Sequence, residues 1–533
     1  MLLTCGLLGG RALNAAQSPS YAVENKTIAQ LQSDLSAGRV TSEQLVEAYL
    51  ARIAAIDVAG PALHSVIVLN PHAVDDARAS DAQRRLGQAV GPLQGIPVLI
   101  KDNIETGDGT PTTAGSEALA FNITRRDAPL VRRLKEAGAI VLGKTNLSEW
   151  ANIRSSHSIS GWSALGGLVK NPYALDRTPS GSSSGTAAAI AASLAAVGVG
   201  TETDGSVTSP SSVNGIVGIK PTLGLVSRTY VVPISHSQDT PGPMGRSVAD
   251  VAALLTVMAG TDPRDPATRD ADRQKRDYVA ALRGATLSGK RLGVLRFATG
   301  NIPATDALFE RALGVMRAHG ARIVELKSFK PNATIGDMEM SVLMTELKAD
   351  LNRYLASTPP AVTSRTLAAV IRFNRAHARE LSLFDQDLFE RAQKTNGLSD
   401  PTYLKTLRKY KLLAGREGID KLITAHQLDG LIAPSDGPAG RVDVLDGDRI
   451  PGVASMLPAI AGYPHLTVPM GYVSGMPVGI SFIGRAWTDA QLLALGAAYE
   501  RATRYRRAPA FTPSVEGTQE IQRSLAPEKG LRL

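Results

Sequence analysis

The chain has 533 residues, 43% of them hydrophobic, with ordinary glycine and proline usage, a composition of globular proteins with a large core. Its 58 basic and 49 acidic residues leave a net charge of +9, but the basic residues are scattered without interleaved aromatics, which argues against nucleic-acid binding. No apolar run reaches about 18 residues, so no spanning helix is expected; the single cysteine, Cys5, excludes an intrachain disulfide or a cysteine-rich zinc site.

Met1 to Gly10 is apolar but lacks the basic start of a signal peptide. Residues 1–24 are therefore read either as a flexible start or as a remnant export signal, which leaves cytoplasmic and exported locations open. Ile28, Leu31 and Leu35 recur at helical spacing. Thr41-Ser-Glu-Gln44 is a capping box opening a helix with Leu45, Tyr49, Ile53 and Ile56 on one face. Short apolar runs then predict buried strands at Val98–Ile100, Ile140–Leu142, Val197–Val199, Leu292–Leu295, Leu431–Ala433 and Val478–Ile483. Helical stretches such as Ala128 to Ala137 and Val248 to Met258 separate them. This alternation predicts an α/β fold around a mixed, mostly buried β-sheet. Residues 265–425 carry more charge and longer helical patterns, Ala307 to His319 and Ser341 to Leu355, and read either as a substrate-facing elaboration or as a cover for the sheet.

The densest functional signal is the 27-residue run from Ser180 to Ser206, with a Gly/Ser-rich loop at each end and an Ala-rich core. Small residues let backbone amides approach a ligand, and serines supply hydroxyls. Thr186 to Ala196 is a strong helix former without bulk, able to lie in a core and return the chain beside its own start. Ser182 and Ser206, 24 residues apart, are thereby expected in one pocket.

This run resembles the serine-rich signature of the amidase signature family of hydrolases. Other blocks extend the resemblance over roughly residues 25 to 510: Gly91 to Asn103, Gly143 to Trp150, Gly215 to Thr222, Ser237 to Pro243, Ala461 to Pro469 and Gly475 to Gly479. Their order implies one catalytic domain over 25–512, with helices on both faces of the sheet, followed by a tail at 513–533. Carried over residue by residue, the resemblance implies a Ser-Ser-Lys relay: Ser206 as nucleophile, Ser182 as the bridging serine after a cis peptide bond, and Lys101 as base. The three apolar residues before Lys101 suggest burial, which lowers a lysine pKa and frees its amine. The backbone amides of Thr203, Asp204, Gly205 and Ser206 are the expected oxyanion donors. Ser183 is expected to support the relay, and Asp102 to be a structural partner.

Many family members have Gly-Gly before the nucleophile and an arginine two residues after it, where this chain has Asp204-Gly205 and Thr208. The Thr-Glu-Thr-Asp-Gly-Ser form, with Ser155 to Trp162 and Pro233 to Thr240, resembles the bacterial peptide amidase branch, which removes the C-terminal amide of peptides. That resemblance implies a metal-free, cofactor-free hydrolase acting as monomer or homodimer on a small amide or peptide amide. The alternatives are a broad aryl or alkyl acylamidase and, of another class, an amidotransferase subunit that hands ammonia to a partner.

Two other motifs compete. Gly181-Ser-Ser-Ser-Gly185 fits a nucleophile elbow, which would make Ser183 the nucleophile with Asp436 and His465, but leaves Lys101 and the Thr201–Ser206 loop unused. Gly138 to Thr145 fits the P-loop expression, but its variable positions are all apolar and read as the strand itself. His157, His236 and His465 show no metal-binding spacing, and His157 is placed at the pocket only by its block.

Overall fold

The computed structural model describes residues 21–88, 91–448 and 454–525. The expectations for residues 1–20, Cys5 included, and for the end of the tail lie outside the described residues. Among the described residues thirteen strands occur, in chain order β1 (Val66–Leu69), β2 (Pro97–Lys101), β3 (Ile140–Thr145), β4 (Trp162–Ser163), β5 (Gly167–Leu168), β6 (Val197–Glu202) and β7 (Val217–Lys220). These are followed by β8 (Thr240–Gly245), β9 (Arg291–Val294), β10 (Arg322–Glu325), β11 (Gly430–Pro434), β12 (His465–Val473) and β13 (Met476–Ile483). Eleven form one mixed sheet, ordered β1-β3-β2-β6-β8-β7-β12-β13-β11-β9-β10, and β4 and β5 form a separate hairpin. Strands β3, β2 and β6 run parallel, as do β11, β9 and β10, whereas β8, β7, β12 and β13 pair antiparallel. The central strands β2, β3, β6, β7, β8, β11 and β13 are buried throughout. This is the α/β architecture with a mostly buried mixed sheet that the alternating pattern predicts.

Local chemistry accounts for several elements. Thr41 caps the helix Ser42–Arg52 through a complete capping box with Gln44. The apolar runs read from the sequence all fall on strands, with Leu295 just past the end of β9. The pattern missed β8, whose sequence Thr-Pro-Gly-Pro-Met-Gly carries turn residues, yet it pairs on both sides, with β6 and β7. The Ala-rich helix is also shorter than expected. It spans Ser184–Ala191 and ends before Ser193, whose φ of 57° turns the chain back toward β6.

That helix lies directly on the sheet because glycines in β6 leave room. A Cβ on Gly198 would come within 2.7 Å of Thr186 Cγ2, and one on Gly200 within 2.6 Å of Ser183 Oγ. At the helix start, a Cβ on Gly185 would sit 2.3 Å from Ser65 O and 2.4 Å from Asn146 O. These close approaches seat the serine-rich loop and its helix against β6, against Ser65 just before β1 and against Asn146 just after β3.

Candidate active site

Lys101 ends β2, is fully buried, and points its amine into the serine-rich loop. Its Nζ stands 2.8 Å from Ser182 Oγ, 3.1 Å from Ser183 Oγ, 2.9 Å from Thr201 Oγ1 and 3.3 Å from Thr201 O. No carboxylate forms an ion pair with it among the described residues. Burial lowers its pKa to about 7, against the smaller opposing fields of Asp239 and Glu202. A neutral amine in this place can accept a proton from a serine hydroxyl.

The two serine loops are stitched together. The Ser183 amide donates to Ser206 O at 3.2 Å, and the Ser148 amide donates to Ser182 O at 3.1 Å. The Gly181–Ser182 peptide is cis. Ser206 is 9% exposed and follows Gly205, whose φ of 75° is left-handed. Ser183 Oγ donates to Thr201 O at 3.1 Å and accepts from the Thr201 amide at 3.2 Å.

Downstream of Ser206, the Val207 and Thr208 amides donate to Glu202 Oε2 at 2.8 and 2.9 Å, at the entrance to the helix Thr208–Val213. By contrast, the amides of Thr203, Asp204, Gly205 and Ser206 have no hydrogen-bond acceptor among the described residues. Consecutive unpaired amides beside a hydroxyl suit a developing oxyanion. The loop is anchored by Thr203 Oγ1, which donates to Asp239 Oδ1 at 2.6 Å; Asp239 Oδ2 accepts from the Ile234 and Ser235 amides at 2.8 Å each. Burial raises Asp239 to about 6.

A cavity of about 350 Å³ opens next to this cluster. Asn103, Thr201, Thr203 and Asp239 are among its lining residues, and Val232 and Ile234 contribute apolar wall. Lys101, Ser182 and Ser206 do not line it; the cavity meets them through Thr201 and Thr203. Asp350, Arg353 and Tyr354 come from the helix Ile335–Ala356, inside the region read as a substrate-facing elaboration or cover.

The structure departs from several sequence expectations. His157 is exposed and does not line the cavity; His236 does. Nor is His236 isolated. Its Nδ1 lies 2.8 Å from Asp350 Oδ2 and its Nε2 3.4 Å from Glu346 Oε1, a group able in principle to approach a cation. Each ring nitrogen already faces a carboxylate, so the imidazole serves as a bridge between the two acids. The elbow residues are not brought together. Ser183 contacts Lys101 and Thr201, His465 Nε2 lies 2.6 Å from Ser481 Oγ, and no hydrogen bond joins either to Asp436. Lys144, in the P-loop-like segment, is buried in β3 and pairs with Asp102 at 3.3 Å, which gives Asp102 its structural partner. Thr201, Asn103 and Asp239 were not singled out from sequence, because their roles depend on strand register and a long-range contact.

An amidase family model matches residues 44–493. A probable amidase of Arabidopsis thaliana is 39% identical over 520 residues, covering 94% of each chain. The solved peptide amidase of Stenotrophomonas maltophilia is 48% identical with a TM-score of 0.86, covering 92% of this chain and 99% of that one. A glutamyl-tRNA(Gln) amidotransferase subunit of Chloroflexus aurantiacus is 34% identical, over 90% of this chain and 97% of its own. With its mixed eleven-stranded sheet and its serine-rich loop, the chain belongs to the amidase signature family.

Proposed function

We propose that this amidase hydrolyses primary carboxamides, C-terminal peptide amides above all, by a Ser206–Ser182–Lys101 relay. The observation that carries the reading is the Lys101 amine, its pKa lowered by burial to about 7, standing 2.8 Å from Ser182 Oγ beside a loop with four unpaired amides. Ser206 Oγ attacks the carbonyl carbon while its proton passes through Ser182 to Lys101. The carbonyl oxygen gains negative charge and is held by amides from Thr203 to Ser206. Collapse returns a proton through Ser182 to the departing nitrogen, which leaves as ammonia. Water then releases the acyl group from Ser206 by the same relay, giving the carboxylic acid. Ser183 holds Lys101 and Thr201 in place without reacting.

The peptide-amide preference rests on likeness to the S. maltophilia peptide amidase and on a cavity large enough for more than the carboxamide group. The amidotransferase relative supports a second reading, in which the chain donates ammonia to a partner. Ammonia release from dipeptide amides, benzamide and glutamine by the purified chain separates these readings. Peptide amides are expected to be hydrolysed by the chain alone, with activity lost in Ser206→Ala and Lys101→Ala. Activity that requires an added partner overturns the reading.

A further inference from the structure

Thr203, the first residue of the loop with unpaired amides, is gripped by two consecutive residues. The register of β6 against β8 sets Glu202 opposite Thr240, so the chain leaving β6 runs beside the residues that enter β8. Asp239 Oδ1 accepts the Thr203 hydroxyl at 2.6 Å, and Gln238 Nε2 donates to the Thr203 carbonyl oxygen at 3.2 Å. Gln238 is fully buried, and both ends of its side-chain amide have partners. Nε2 also donates to Glu339 Oε1 at 2.7 Å, and Oε1 accepts from the Tyr410 hydroxyl at 3.1 Å. A backbone carbonyl can only accept, so the NH2 group must face Thr203; the flipped amide would set oxygen against oxygen.

The Thr203–Asp204 peptide is trans and planar, so its C=O and its N–H point in opposite directions. Holding the Thr203 oxygen toward Gln238 therefore turns the Asp204 N–H to the other side of the loop, where it meets no acceptor among the described residues. We infer that Gln238 is a positioning residue of the oxyanion hole, aiming the Asp204 N–H through the peptide plane it shares with the Thr203 carbonyl. Gln238 does not line the cavity, so it acts from behind the loop without touching substrate. This inference rests on the reading of Ser206 as the reacting serine and of the loop amides as oxyanion donors.

Glu339 belongs to the helix Ile335–Ala356 and Tyr410 to the helix Pro401–Ala414. Both side chains that lock Gln238 thus come from residues 265–425, which gain a part in the reaction besides lining the cavity. A donor aimed in advance needs no reorganisation when negative charge develops on the carbonyl oxygen. Loosening it weakens the transition state, where that charge resides, more than the bound neutral amide.

Gln238→Met keeps the length of the side chain and removes its donor. It is expected to lower kcat on a dipeptide amide by about ten- to a hundredfold, with KM within about threefold. Tyr410→Phe frees Gln238 Oε1 but leaves both Nε2 bonds, and is expected to lower kcat about threefold. The matching peptide aldehyde probes the oxyanion directly: Ser206 Oγ bonds to its carbon, its oxygen takes the electron pair, and the serine proton passes to Lys101. In each variant the aldehyde should lose affinity by the same factor as kcat/KM. Calorimetric binding of the dipeptide amide to the Ser206→Ala protein should change by less than about threefold when either substitution is added. Unchanged kcat and aldehyde affinity in the two variants overturn the inference, as does equal loss of amide and aldehyde binding, the mark of a merely structural role. Thermal unfolding checks that each variant is folded, and Tyr410→Phe decides alone where Gln238→Met is not. Ammonia release that survives Ser206→Ala would overturn the proposed function instead, and the two failures stay distinct.

Discussion

Thr201 Oγ1 stands 2.9 Å from Lys101 Nζ while Thr201 itself lines the cavity, so one threonine joins the buried amine to the space beside it. The Asn103 amide donates to the same hydroxyl at 3.0 Å, which fixes its rotamer. Among the described residues the lysine bonds only to serine and threonine oxygens and forms no ion pair, and burial lowers its pKa to about 7.

The first prediction follows from that titration. Burial lowers the Lys101 pKa to about 7, and the base must be unprotonated, so kcat/KM should rise with pH through about 7 and level above it. Lys101→Arg keeps the charge at all accessible pH values and should be inactive throughout. A pH–rate profile checks both; a falling limb near 7 would contradict the assignment.

Ser183→Ala removes a hydroxyl that spans Lys101 Nζ, Thr201 O and the Thr201 amide. The buried Thr201 amide then loses its acceptor, at a cost of about 1–3 kcal/mol in stability. Turnover should fall by about tenfold but persist, because Ser182 still faces Lys101. Denaturant unfolding and steady-state kinetics on the one variant measure the two effects.

Gly205→Ala adds a Cβ to a residue at φ 75° and brings it 3.2 Å from Ser455 Oγ. The backbone should rotate away from the left-handed region, which costs about 1–2 kcal/mol and moves the Gly205 and Ser206 amides. Loss of one oxyanion donor corresponds to about a hundredfold or more in kcat. The expected signature is a large fall in kcat with little change in KM.

The buried Lys144–Asp102 pair supports the end of β2 from the neighbouring strand. Lys144→Met leaves Asp102 buried with only the Thr113 amide and hydroxyl for partners and should cost about 3–5 kcal/mol. The double variant Lys144→Met, Asp102→Leu should recover part of that loss. Urea unfolding of the three proteins measures it.

The legibility of this fold from sequence was uneven for physical reasons. Buried strands such as Leu431–Ala433 announced themselves as apolar runs, and Thr41 announced its helix through its cap. Strand β8 did not, since Pro241 and Pro243 are turn residues by local propensity and become strand only through pairing on both sides. In the candidate site, Lys101, Ser182 and Ser183 were visible because they stand in motifs. Asp239 was not given a role, because its contact to Thr203 joins residues 36 apart through a loop that no periodicity marks. The His236 bridge to Glu346 and Asp350 spans more than 100 residues, where sequence spacing carries no signal.

The most direct test of the central claim is to locate the acyl group. The protein is mixed with a slowly deacylating peptide ester, quenched in acid and mapped by mass spectrometry. An acyl adduct on Ser206, absent from Ser206→Ala and retained in Ser183→Ala, is the predicted result. An adduct on Ser183, or one that persists in Ser206→Ala, would contradict the account.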